Sequence, residues 1–185
     1  MRPHSVVTHS PEETIALGHE LARELEPPVL VLLLGDLGAG KTTLAKGLVA
    51  GLGAAAEEEV TSPTFTMIHE YGTARDNAAL RPAGRDQGRP FDSAQDGERE
   101  SNRERGRTAR VYHVDLYRVE TARELETLGL EDLLAERAVV IVEWGEKLGP
   151  AFRSSGPGSV IQIHLETLSE NERRITIQPT EEIRK

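Results

Sequence analysis

The stretch that decides the fold reads Val29-Leu30-Val31-Leu32-Leu33-Leu34-Gly35-Asp36-Leu37-Gly38-Ala39-Gly40-Lys41-Thr42-Thr43. Its first six residues are all apolar, and so short a run without alternation predicts a strand buried on both faces. Glycines follow, and then Leu44, Leu48 and Leu52 at helical spacing, closed by Gly53. Strand, glycine loop and helix in that order open an α/β architecture. Gly35, Gly40, Lys41 and Thr42 meet the pattern G-x-x-x-x-G-K-[ST] in the setting it requires, after a buried strand and at the start of a helix. Glycines let backbone N–H groups converge on phosphate oxygens with no Cβ in the way, and a helix N-terminus favours anions. Lysine in this pattern reaches the β- and γ-phosphates, and the hydroxyl that follows ligates Mg²⁺. The expected ligand is Mg-ATP, held by Gly38, Ala39, Gly40, Lys41, Thr42 and Thr43.

Working outward, Ser10-Pro11-Glu12-Glu13 reads as a helix start, with Ser10 as cap, Pro11 at the first helical position and Glu13 completing a capping box. Leu17, Leu21 and Leu25 continue it until Pro27-Pro28. Downstream, strands are expected over Thr64 to Tyr71, with Phe65 and Met67 on one face, and over Val111 to Leu116. Thr121 to Leu134 reads as helix, broken near Gly129, with Leu125, Leu128 and Leu133 inward. Ala138 to Val142 is another buried-strand run. Val160 to Leu165 and then Ile175 and Ile177, joined by a polar turn near Ser169-Glu170-Asn171, predict an antiparallel edge hairpin. The fold class is α/β, a P-loop NTPase-like, mainly parallel sheet flanked by helices, with a C-terminal antiparallel hairpin.

At 185 residues the chain suits one domain with a real core, which must rest on aliphatic side chains because aromatic residues make up 4%. Residues 73–110 break the pattern. They hold nine Arg and seven Asp or Glu, with only Leu80 and Phe91 as large apolar residues. Such a composition cannot bury enough surface to offset its ordering entropy, so a disordered insertion between two strands is expected. The net charge of -9 argues against a protein that coats nucleic acid by itself. With no cysteine, thiolate metal sites and Cys nucleophiles are excluded. No apolar run approaches the roughly 20 residues that cross a bilayer, and a cytoplasmic protein is expected.

A P-loop needs carboxylates near the metal and the attacking water. Glu143 closes Val139-Val140-Ile141-Val142, a Walker B-like pattern with Glu in place of the usual Asp, and Asp115 sits in His113-Val114-Asp115-Leu116-Tyr117-Arg118. Both fall at the C-terminal ends of strands, the edge where open parallel sheets bind ligands. Thr61-Ser62-Pro63-Thr64-Phe65 is either a proline turn into a strand or a switch-like loop placing Thr64 on a γ-phosphate. For His113 a structural hydrogen-bonding role is favoured over that of general base. Trp144, the one tryptophan, stands either near the nucleotide or a partner, or half-buried at the sheet edge.

Taken together, Gly35 to Thr43, Ser62 to Phe65 (SPTF), His113 to Arg118 (HVDLYR) and Val142 to Trp144 (VEW) resemble one family, the bacterial TsaE (YjeE) ATPases of tRNA threonylcarbamoyladenosine biosynthesis. The resemblance covers the chain apart from the insertion, where relatives have a shorter loop. It implies an ATPase acting with the TsaD transferase and its partner TsaB, with tRNA engaged only through that complex and the transfer chemistry left to TsaD. It further implies phosphate and Mg²⁺ on Lys41 and Thr42, Glu143 at the metal, Asp115 needed for hydrolysis, and adenine near residues 8–14. Thr64 and Trp144 match switch-like and partner-sensitive positions. Two other classes compete: a small-molecule kinase with an arginine-bearing lid, and an ATP-dependent switch that does not hydrolyse.

Overall fold

The computed structural model describes residues 2–72, 110–135, 137–149 and 159–180. Strands β1 (His4–Thr8), β2 (Val29–Leu34), β3 (Ile68–Tyr71), β4 (Arg110–Asp115), β5 (Ala138–Glu143), β6 (Ser159–Thr167) and β7 (Arg173–Thr180) make one seven-stranded sheet in the order β1-β7-β6-β2-β5-β4-β3. The described α-helices are α1 (Pro11–Ala22), α2 (Lys41–Gly51), α3 (Ala122–Thr127) and α4 (Leu130–Ala135). The expected insertion lies, but for its last residue, outside the described residues. That residue, Arg110, opens β4 opposite Ala138.

β2 is the axis. It runs parallel to β5 on one side and to β6 on the other, with Val31 opposite both Ile141 and Ile161. All six of its residues are buried, as an unbroken apolar run requires. Val29, Val31 and Leu33 pack in one cluster with Leu17 and Leu21 of α1 and Leu44 and Leu48 of α2. Leu30, Leu32 and Leu34 pack on the opposite face with Leu116, Leu130 and Leu148. Each such side chain contributes about 1.5–3 kcal/mol when fully buried, so β2 helps tie the two layers together.

The helix signals hold, with one shift. Ser10 accepts the Glu13 N–H at 3.1 Å, but the Glu13 carboxylate takes the His9 N–H at 2.7 Å, so the reciprocal half of the capping box closes one residue upstream. The expected break at Gly129 separates α3 from α4, and Leu125, Leu128 and Leu133 pack partly buried against the second cluster.

Two strand expectations are corrected. The strand expected from Thr64 begins at Ile68, because the chain from Pro63 to Met67 turns instead, with the Met67 N–H on the Pro63 carbonyl. Phe65 is consequently 80% exposed, whereas Met67 packs partly buried, so the two do not share a face. The C-terminal hairpin forms, with Ile163 opposite Ile177, yet it is not the edge. β6 lies beside β2 inside the sheet, and β1 pairs antiparallel with β7 to take the edge. A five-residue strand with exposed and buried positions mixed carries too little periodicity to announce itself.

Candidate nucleotide site

The loop between β2 and α2 leaves the sheet at the C-terminal ends of the parallel strands β2, β4 and β5. Gly35 stands at φ +141°, and a Cβ there would lie 2.3 Å from the Leu165 carbonyl oxygen of β6, so only glycine permits the turn. Gly40 occupies the N-cap of α2 and offers no side-chain acceptor, and the first turn of the helix holds no acidic residue. The free N–H groups of that turn are left for an anion. Ala39 turns its methyl into the core and keeps its N–H on the Asp36 carbonyl at 3.1 Å, so it contributes backbone shape to the loop.

Lys41 is buried and folds back on its own loop, donating to the carbonyls of Gly35 and Asp36 at 2.7 and 2.8 Å. Its ammonium also lies 3.8 Å from the centre of the Trp144 ring. Burial pulls the Lys41 ammonium below the usual lysine range, while Glu143, then Glu146, Asp115 and Asp36, oppose that shift. Trp144 reaches this position from a left-handed backbone conformation, φ 60°, immediately after β5, and its ring meets that of Tyr117 at 5.2 Å.

The two strand-end acids sit opposite each other, Asp115 in register with Glu143. Thr42 donates its hydroxyl to both oxygens of Glu143, at 2.8 and 3.0 Å. Donation leaves the lone pairs of the Thr42 oxygen available to a hard cation. Asp115 Oδ2 accepts the hydroxyls of Ser62 and Thr64 at 2.5 and 2.6 Å, and Oδ1 accepts the Tyr117 N–H at 2.8 Å. These bonds hold the 61–67 segment as a loop and account for the late start of β3. Lys41, Thr42, Thr64, Asp115, Glu143 and Trp144 line one cavity of about 390 Å³ together with Gly38, Gly40 and Thr43.

A smaller cleft of about 110 Å³ shares Gly38, Gly40 and Thr43 with it and adds Ser10, Pro11 and Thr14 from the start of α1 and Arg173 from β7. These three residues all fall within the 8–14 segment singled out in the sequence. Arg173 was not foreseen, since it is one of many charged residues of the hairpin and only the pairing of β7 with β6, itself beside β2, brings it to Gly38. A larger hollow, about 800 Å³ between α3, α4 and Lys147, lies apart from the loop. Lys147, the one cation among its described lining residues, already binds the carbonyls of Tyr117 and Val119.

Mg²⁺ fits the donor set. It prefers oxygen ligands and keeps several waters, so a hydroxyl, a carboxylate and nucleotide oxygens suffice. A dedicated cage is unnecessary, and among the described residues no cluster of three or more His, Asp or Glu forms one.

The family model described as "Threonylcarbamoyl adenosine biosynthesis protein TsaE" matches residues 8–80 and 100–175. The chain belongs to the TsaE family. Among curated TsaE proteins it is 33% identical to that of Bacillus subtilis over 169 residues, covering 91% of this chain and 81% of the relative. It is 30% identical to that of Treponema pallidum over 92% of this chain and 97% of the relative, and 31% to that of Aquifex aeolicus over 93% of both. A crystal structure of Bacillus subtilis YdiB matches 95% of this chain and 84% of its own at a TM-score of 0.55 and 28% identity. TsaE membership makes this a P-loop-type nucleotide-binding protein of tRNA threonylcarbamoyladenosine biosynthesis. The span between the two matched stretches falls within the charged 73–110 segment. No helix among the described residues is long and apolar enough to cross a membrane.

Proposed function

We propose that this TsaE protein is a Mg-dependent ATPase that works with TsaB and TsaD in modifying the anticodon-adjacent adenosine of tRNA. The observation that carries the reading is the Thr42 hydroxyl seated on Glu143 beneath an uncapped helix N-terminus, with Lys41 beside it. Bound Mg²⁺ would neutralise charge on the β- and γ-phosphates, held by Thr42 and Glu143. Lys41 swings from its carbonyl partners to the phosphates, whose full charges are the stronger acceptors. Asp115 keeps Ser62 and Thr64 beside the γ-phosphate and orients the water that attacks it. Gly38, Gly40 and Thr43 cradle the phosphates from the loop, and the adjoining cleft at Ser10 and Thr14 receives the adenine end.

Leu37 is 75% exposed at the mouth of the cavity, with Tyr117 exposed beside it and Phe65 stacked by Arg118 at 4.3 Å. Apolar surface at the rim of a nucleotide site suits a protein partner that closes over it, and TsaB–TsaD is that partner in this reading. The net charge of -9 leaves tRNA to the complex. ADP release measured with and without TsaB and TsaD, and against a panel of phosphate acceptors, tests the reading. Hydrolysis to ADP and phosphate supports it. Transfer to an acceptor would make the protein a kinase, and nucleotide-dependent binding of TsaB–TsaD without turnover would make it a passive switch.

A further inference from the structure

We infer that His113 is a positioning residue for the metal site, holding the Glu143 carboxylate in the orientation that Thr42 needs. The inference rests on the Mg-ATP reading above. His113 stands on β4 opposite Ile141 of β5, two residues before the Asp115–Glu143 pair. Strand alternation turns residues 111, 113 and 115 to one face, and Val111 packs there with Ile141 and with Leu44 and Leu48 of α2. The ring therefore lies under the helix that carries Lys41 and Thr42. It is fully buried, and it does not line the nucleotide cavity.

Its Nε2 lies 2.8 Å from Glu143 Oε1, the oxygen that also takes the Thr42 hydroxyl at 2.8 Å. A carboxylate has no hydrogen to give, so Nε2 carries the N–H and donates it. Nδ1 is buried and without a partner among the described residues. A leucine would fill this site without stranding a nitrogen, so packing alone is a poor reason for histidine here. The Nε2–H is the reason that remains. Without it the Glu143 carboxylate keeps Thr42 as its one side-chain donor among the described residues and is free to turn about its terminal torsion. Hydrogen bonds that orient a ligating carboxylate set metal affinity, so the loss falls on Mg²⁺ and spares the phosphate contacts of the loop.

The test titrates wild type, His113→Leu and His113→Gln with a fluorescent ATP analogue, with and without Mg²⁺, alongside melting temperatures. Glutamine can present an N–H close to the position of Nε2. All three proteins should bind the metal-free analogue alike. His113→Leu should need at least about tenfold more Mg²⁺ to tighten binding, and His113→Gln should stay within about threefold of wild type. An unchanged Mg²⁺ requirement in His113→Leu overturns the inference, as does a glutamine variant as impaired as the leucine one. If His113→Leu does not fold, His113→Asn replaces it, because the shorter amide cannot reach Glu143. Equal requirements in the Asn and Gln variants would then overturn the inference. A wild-type protein whose binding ignores Mg²⁺ would overturn the Mg-ATP reading itself, and this inference with it.

Discussion

The Lys41 ammonium makes its direct contacts with two carbonyl oxygens and the face of Trp144. In the function proposed above, removing that ammonium takes away the cation that would meet the β- and γ-phosphates. Lys41→Ala should abolish ATP hydrolysis, and turnover at the wild-type rate in that variant would show the phosphate-cradle argument to be wrong. Because Trp144 is the single tryptophan, its emission should change when nucleotide draws Lys41 off the ring, and Lys41→Ala should lose most of that change. Glu143→Gln and Asp115→Asn are nearly isosteric and delete one charge each. Both should slow hydrolysis by at least about tenfold, roughly 1.4 kcal/mol in the barrier. Glu143→Gln should in addition raise the Mg²⁺ requirement, which separates the acid beside Thr42 from the acid that tethers Ser62 and Thr64. Single-turnover rates measured across a Mg²⁺ series decide this.

At the scale of elements, the site depends on how closely α1 and α2 approach. A Cβ on Gly47 would lie 2.1 Å from the Ile15 carbonyl oxygen, and one on Gly18 would lie 2.7 Å from that of Leu44. Alanine is the better helix former by about 1 kcal/mol, but the atom it would meet is backbone, which cannot swing aside. Overpacking of this kind typically costs about 1–3 kcal/mol and outweighs the propensity gain. Gly47→Ala should therefore lower Tm by several degrees, roughly 2–4 °C per kcal/mol of net loss. An unchanged or raised Tm would mean that the helix pair yields more easily than the contact suggests. α2 carries Lys41 and Thr42 at its other end, so its seat on α1 also sets where they point.

Over the whole molecule, β3 and β4 pair antiparallel as far as Tyr71 opposite Val111, which brings the two described chain ends together. A short connection can join them, and the entropy of loop closure changes only with the logarithm of length. Replacing residues 74–109 by a short Gly/Ser linker should leave ATP hydrolysis near wild type and shift stability by about 1 kcal/mol or less. Lost hydrolysis in that variant would favour the arginine-lid kinase reading. The acidic balance predicts weak binding to free tRNA and nucleotide-dependent co-elution with TsaB–TsaD. Tight, salt-sensitive binding of tRNA by this chain alone would contradict that.

By itself the sequence determined what is written in local order. The six apolar residues of β2, the glycine loop and the leucine spacing of α2 specify a phosphate cradle, because strand burial, turn geometry and helix start are each set within a few residues. Asp115 and Glu143 were legible as strand-end acids for the same reason. Pairing across the sheet was not, since periodicity reports which face a residue takes and is silent on which strand lies beside it. Hence the short β1 went unseen and β6 was expected at an edge that β1 occupies. The tether from Asp115 to Ser62 and Thr64, which cut β3 short, joins side chains more than fifty residues apart. Only the tertiary structure gave His113 its partner, Glu143 of the next strand rather than the neighbouring acid of its own. Parallel pairing of β4 with β5 carries that carboxylate to the ring from 30 residues away.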